Sequence, residues 1–215
     1  MWIERAVTGA KEHGVIPYAH HWQRQVRGAI AMVEATIAKF KVDDYHRMIK
    51  AGILDGRRVE LLEGVITEMA PQGTMHAYYS DESGDYLSEL LGSRAKIREA
   101  KPITLGDGSE PEPDIAVVQP LGSIYLQQHP NAGNVFWLIE YSDSSLAKDL
   151  GTKTKIYASA GIQEYWVVNI QEGVLIVFRL PKDGEYRSEQ TLSGGTIAPV
   201  AFPDLSISVS RIIGR

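Results

Sequence analysis

Apolar and polar positions along the chain change period several times, and each change marks an element. From Val135 to Tyr141 the run is nearly all apolar, which predicts a strand buried on both faces at the centre of a sheet. The next segment switches to a helical period. At about 100° per residue, Leu146, Asp149, Leu150, Lys153, Ile156, Tyr157 and Ala160 share one arc of a helix stopped by Gly161. Lys148 and Lys155 fall on the opposite side. Upstream, Asp43 or Asp44 is expected to cap a short helix through Lys50, ended by Gly52. Arg58 to Glu63 and Val65 to Ala70 read as two strands joined tightly at Gly64. His76 to Leu91 reads as a helix stopped by Gly92, and Ala95 to Ala100 as a strand. A further strand, Asp114 to Val118, is introduced by the turn-like Glu110-Pro111-Glu112-Pro113. Glu164 to Asn169 and Val174 to Leu180 are strands, and the remainder reads as β-structure turning at Gly194-Gly195. Strands and helices alternate through the middle and strands dominate the end. This predicts an α/β fold, a mixed sheet flanked by helices with a β-rich C-terminal part.

Residues 1–31 lack a clean helical or alternating pattern and hold Trp2, His13, His20, His21 and Trp22. They read as a peripheral N-terminal extension, with the domain proper over residues 32–215. The extension carries four Lys/Arg and two Asp/Glu, so the rest of the chain is more acidic than the overall formal charge of −5. A protein held to DNA by its overall field would be basic. Any nucleic-acid contact here must therefore use a local basic patch or bound cations. There are no cysteines, which excludes a disulfide scaffold, a thiolate metal site and a cysteine nucleophile. No apolar run approaches the ~20 residues of a membrane helix, and the N-terminus lacks the apolar stretch of a signal peptide. A cytoplasmic location without membrane contact is the expectation.

Candidate chemistry lies where charge interrupts apolar pattern. Glu140 ends the apolar strand, where an unpaired buried carboxylate is costly. It needs a cation, a metal or a basic side chain, unless it simply reaches solvent at the strand end. Lys153 sits mid-arc on the apolar helix face, where an ammonium must be paired. Asp149, four residues earlier, could be its structural partner, and Glu140 its functional one. Pro113-Asp114 places another carboxylate at a strand start, where adjacent strands could converge two acids. Two hard oxygen donors with water suit Mg²⁺ or Mn²⁺ better than zinc.

Taken together, these residues resemble the PD-(D/E)XK nuclease superfamily, the restriction-endonuclease-like fold, and most closely its Uma-type group. The residues that carry the likeness are Val59-Glu60-Leu61-Leu62-Glu63-Gly64, Pro111-Glu112-Pro113-Asp114 and Ile139-Glu140-Tyr141-Ser142. To these is added the stretch with Asp149, Lys153, Tyr157, Ala160-Gly161-Ile162 and Glu164-Tyr165-Trp166. The likeness spans roughly Phe40 to Leu205 and implies a Mg²⁺-dependent endonuclease acting on DNA, with Mn²⁺ as a substitute ion. On that basis Asp114 and Glu140 would hold the ion, with Glu60 binding it directly or through water. Lys153 would orient or polarise the attacking water. His76 matches a histidine often found where the next helix starts, with no role assigned. Serine stands where the (D/E)XK lysine belongs, after Glu140-Tyr141, and the Uma-type group moves that lysine onto the following helix, as Lys153 would. Many double-strand cutters pair two sites, so a homodimer is compatible with the likeness, although no residue here points to one.

Other features are weaker. His20-His21 could bind metal, but adjacent histidines point apart in most backbones. Tyr165-Trp166 reads as core rather than as a base-stacking platform. Arg94, Lys96 and Arg98 alternate on an expected strand and could touch phosphates or be a solvated face. Ser142-Asp143-Ser144-Ser145 resembles a helix N-cap region. Gly106-Asp107-Gly108 reads as a turn. Two alternatives to a nuclease remain: a non-cleaving module that keeps the fold and binds protein or nucleic acid, and a two-carboxylate glycosidase, in which Lys153 has no clear task.

Overall fold

In the computed structural model, residues 36–215 are described. The extension expected over residues 1–31, its boundary and its His20-His21 pair lie outside them. Helix α1 (Val42–Lys50) comes first, followed by a hairpin of β1 (Val59–Leu62) and β2 (Val65–Glu68). Glu63 and Gly64 both have positive φ, 48° and 80°. This is the geometry of a two-residue hairpin turn whose twist matches that of the strands. A Cβ on Gly64 would lie 2.7 Å from Lys39 Cβ and 3.0 Å from the Phe40 carbonyl oxygen, and Phe40 N donates to Gly64 O at 2.8 Å. Gly64→Ala should therefore cost about 1–2 kcal/mol from the strained φ and the displaced segment. Urea unfolding checks this, and an unchanged midpoint would contradict it.

Helix α2 (Thr74–Leu91) leads to the main sheet, formed by β3 (Lys96–Glu99), β4 (Ile115–Val118), β5 (Val135–Ser142), β6 (Glu164–Asn169), β7 (Val174–Lys182) and β8 (Glu185–Leu192). The strands lie side by side in chain order, and only β5 and β6 run parallel. A small pair, β9 (Thr196–Ile197) and β10 (Ile207–Ser208), precedes the terminal helix. A parallel pair needs a crossover, which here is helical: α3 (Leu146–Lys148), a π-helical turn (Asp149–Lys153) and α4 (Thr154–Ser159). The chain ends in α5 (Val209–Ile212).

Alternation along the strands divides the core in two. On one face Ile115, Val117, Trp137, Ile139, Trp166 and Val168 meet Leu87 and Leu91 of α2 and Val209 and Ile212 of α5. On the other, Ala116, Leu138, Tyr165 and Val167 meet Ile156 and Tyr157 of α4. Tyr165 and Trp166 are both fully buried, so they are core. With helices on both faces, β5 and β6 are buried along nearly their whole length, as their apolar runs predict.

The structure differs from the sequence pattern at several element starts. Neither Asp43 nor Asp44 caps α1 from outside. Lys41 holds the N-cap position, and Asp44 reaches back from the third helical residue to accept from Lys41 N at 3.1 Å. That is the acidic half of a capping box, which satisfies the N–H of the N-cap residue itself from inside the helix. Helix α2 starts at Thr74, two residues before His76. The expected regular helix over residues 146–160 is interrupted by the π turn. There the Asp149 carbonyl accepts from the Thr154 and Tyr165 hydroxyls, at 2.7 and 3.2 Å. Such side-chain bonds stabilise a widened turn. The widening changes the angular register between residues before and after it. Lys148, expected on the far side, thus falls toward the cleft, while Leu150, expected inside, is exposed.

Candidate active site

The loop between β2 and α2, the segment before β4 and the segment after β5 enclose a cleft beside the carboxyl end of β5. Asp114, Glu140, Asp149, Lys148 and Lys153 all line it. Asp114 and Glu140 get there by strand register. Ile115 pairs with Ile139 across the antiparallel β4–β5 ladder, so the next residues along, Asp114 and Glu140, lie side by side. Both belong to the face that α4 covers. Asp114 Oδ2 accepts from Tyr141 N at 2.7 Å, and Oδ1 accepts from Gln72 Nε2 at 3.2 Å. His76 Nε2 lies 2.9 Å from Oδ1 but outside hydrogen-bonding geometry. The histidine at the start of α2 thus borders Asp114 directly.

Glu140 is buried, and its Oε1 accepts from Lys153 Nζ at 2.7 Å and from the Tyr157 hydroxyl at 2.8 Å. Among the described residues, its Oε2 accepts no hydrogen bond. Burial pushes the Glu140 carboxyl up to about 8, and the neighbouring Lys153 only partly offsets this. Burial alone would depress Lys153, but Glu140, Glu60 and Asp149 outweigh it and hold the ammonium charged. Burial and Glu140 together push Tyr157 far above the ordinary tyrosine range, so its hydroxyl remains a neutral donor.

Glu60 arrives from the hairpin. It is fully buried on β1, its Oε1 takes Lys148 Nζ at 2.9 Å, and its Oε2 lies 3.5 Å from Lys153 Nζ and accepts from Glu112 N at 3.3 Å. Asp149 is held by two serine hydroxyls, Ser142 at 2.7 Å and Ser145 at 2.6 Å, and lies 4.0 Å from Lys153. Ser145 does hold the N-cap position of α3, but its hydroxyl, like that of Ser142, bonds an acid side chain rather than a backbone N–H. The structure brings all four sequence-predicted residues, Glu60, Asp114, Glu140 and Lys153, into one cluster. Sequence reasoning missed Lys148, Gln72, Tyr157 and the two serines as parts of it. A Glu60–Lys148 pairing has no signal in local periodicity.

Around this cleft the carboxylates of Glu60, Glu112, Asp114, Glu140 and Asp149 outnumber the basic groups of Arg58, Lys148 and Lys153. A site so acidic and so desolvated is stabilised by a further cation. The donors are hard oxygens, which suit Mg²⁺ or Mn²⁺. A cavity of about 50 Å³ has room for a small ion and a few waters. The residues present fit such an ion.

Of the basic residues expected to alternate on one strand, Lys96 and Arg98 lie on β3 and Arg94 does not. Arg94 lies in a helical turn before β3, pairs with Asp204 through two bonds of 2.7 and 2.8 Å, and stacks over Phe202. Arg98 lies over Tyr125 and donates to the Pro102 carbonyl.

A six-stranded mixed sheet with helices on both faces and an acidic cleft beside its parallel pair defines a nuclease-fold protein. The same fold is found in a crystal structure from Anabaena variabilis ATCC 29413, titled as a putative nuclease belonging to DUF820. The TM-score is 0.62 at 17% identity, over 81% of this chain and 98% of that one. Residues 42–210 match the Uma2 family, described as "putative restriction endonuclease", and the chain belongs to that family. A search of the curated proteins finds no match. No helix among the described residues is long and apolar enough to cross a membrane.

Proposed function

We propose that the chain is a Mg²⁺-dependent endonuclease that hydrolyses phosphodiester bonds in DNA. One observation carries this reading: Lys153, from the crossover helix, lies 2.7 Å from Glu140 in the cleft where Glu140 and Asp114 stand side by side. It has the acids and the lysine that the PD-(D/E)XK likeness calls for, with the lysine on the helix rather than two residues after the glutamate. Asp114 and Glu140 would hold the ion, Glu60 would assist directly or through water, and Mn²⁺ could replace Mg²⁺. When bound, the ion supplies positive charge at the scissile phosphate and makes a nearby water easier to ionise. Lys153 orients the attacking water and offsets charge that builds on the phosphate in the transition state. Tyr157 holds the same Glu140 oxygen, Oε1, that Lys153 bonds. Lys148 and Arg58 supply the local positive charge that the acidic chain otherwise lacks.

The test is Mg²⁺- or Mn²⁺-dependent nicking of supercoiled DNA by the full chain, with single-stranded DNA in parallel. Cleavage that chelation abolishes supports the proposal. A folded chain that neither binds these ions nor cuts either substrate would favour the non-cleaving binding module, the reading that the net charge of −5 keeps in view.

Ion binding should also depend on pH. With the Glu140 carboxyl pushed up to about 8 in the metal-free protein, an incoming ion must displace a proton at neutral pH. Mg²⁺ affinity is therefore expected to rise by up to about tenfold per pH unit below that value and to level off above it. Calorimetric titration across that range checks this, and a flat profile would contradict it.

A further inference from the structure

Away from the catalytic cleft, three side chains from distant parts of the chain converge. His46 is on α1, Glu110 begins the segment that leads to Asp114, and His129 lies in the loop before β5. Their ligand atoms all lie within 4.8 Å of one another. His46 Nε2 is 2.7 Å from Glu110 Oε1, and the two imidazoles approach edge-on with centroids 6.4 Å apart. Glu110 is only 2% exposed.

We propose that His46, Glu110 and His129 form a second metal site, for a divalent transition metal of the zinc class. Two imidazoles and one carboxylate with a fourth position open to solvent is a zinc-type donor set. It differs from the all-oxygen set of the catalytic cleft. Here the open position faces a cavity of about 340 Å³, bordered also by Tyr45, Lys50 and Pro102. Ligand atoms around tetrahedral zinc stand ~3.3 Å apart. The His46–Glu110 pair must open slightly and the longest separation close by at most about 1.5 Å. His46 is exposed and free to make that change.

The surroundings support the site. Thr104 Oγ1 donates to Glu110 Oε2 at 2.8 Å, and Thr104 N donates to the Pro130 carbonyl at 2.9 Å, next to His129. One residue therefore orients the carboxylate and anchors the histidine loop, which is how outer partners hold metal ligands in place. Glu110 is also tied to the hairpin, its N–H donating to the Leu61 carbonyl at 2.8 Å. Two residues on, Glu112 N donates to Glu60 Oε2, and Asp114 follows. A metal at Glu110 would brace the segment that delivers Asp114 and holds Glu60, linking α1 and the His129 loop to the floor of the cleft.

The experiment is thermal unfolding of the full chain with and without Zn²⁺, together with the visible spectrum of added Co²⁺. At about a hundredfold excess over Kd, Zn²⁺ should raise Tm by about 5–10 °C, and Co²⁺ should give tetrahedral absorption bands. Both signals should vanish in His46→Ala and in His129→Ala, variants that open no core cavity. Both should persist in Glu140→Ala, so the outcome does not hang on the catalytic reading. They should persist also when His20 and His21 are replaced by alanine. No Zn²⁺ response in the wild type would overturn the proposal, as would a response that survives His129→Ala or disappears with His20 and His21.

Discussion

Glu140→Gln is expected to lower metal-dependent DNA nicking by more than about 100-fold while leaving the fold intact. Glutamine keeps the shape of the side chain, and its carbonyl oxygen can still accept from Lys153 and Tyr157, which sit 2.7 and 2.8 Å from Glu140 Oε1. What it loses is the charge. An ion in this cleft then has Asp114 and Glu60 but not the acid that the central strand places beside Asp114. Losing an inner ligand should cost at least as much as losing an outer partner, which is typically 10–100-fold. Lys153 also loses its nearest counter-ion and is drawn toward Asp149 or Glu60, 4.0 and 3.5 Å away, so the water it orients is displaced. Nicking assays at saturating Mg²⁺, with circular dichroism to verify folding, measure the effect. Wild-type activity in a folded Glu140→Gln protein would remove Glu140 from the chemistry.

Lys153→Ala should produce the largest loss of stability. The Lys153 side chain is only 3% exposed, and its ammonium faces Glu140, Glu60 and Asp149 within 4.0 Å. Its removal leaves carboxylates packed together without the charge that compensates them. Breaking a buried pair in this way costs about 3–5 kcal/mol, or about 6–20 °C in Tm for a domain of this size. The reason is the stranded acids rather than lost contacts, so neutralising an acid should restore much of it. The double variant Glu140→Gln with Lys153→Met, which replaces the pair by neutral groups of similar volume, should unfold well above Lys153→Ala. Thermal melts of the three proteins decide this. Equal melting temperatures for Lys153→Ala and wild type would mean that the cleft does not depend on this ammonium.

These effects concentrate on residues that stood out in the sequence because they broke a pattern. The run before Glu140 is so apolar that the strand had to be central, and a lysine in the middle of an apolar helical arc had to be paired. Such inferences depend on local periodicity, and the structure bears out the burial of both groups. Periodicity fails where geometry departs from the regular helix. The π turn at Asp149–Lys153 changed which way Lys148 faces, turning an expected surface lysine into the partner of Glu60. Likewise Asp44, an expected cap, works from inside its helix, and Ser142 at the end of β5 and Ser145 at the start of α3 bond Asp149 through their hydroxyls rather than a backbone N–H.

What the sequence determined by itself was the class of fold, the central strand and the crossover helix, and local pattern singled out Asp114, Glu140 and Lys153 as candidates. Those are written in spacing along a few turns or strand positions, whereas Glu60 was singled out only by the family resemblance. Only the tertiary structure decided how they meet. Lys148 closes on Glu60 across 88 residues and His46 on Glu110 across 64. Neither pairing leaves a periodic trace, because each is made by packing α1, the hairpin and the crossover against the sheet. The cleft and the proposed second metal site exist only where those separately readable elements come together.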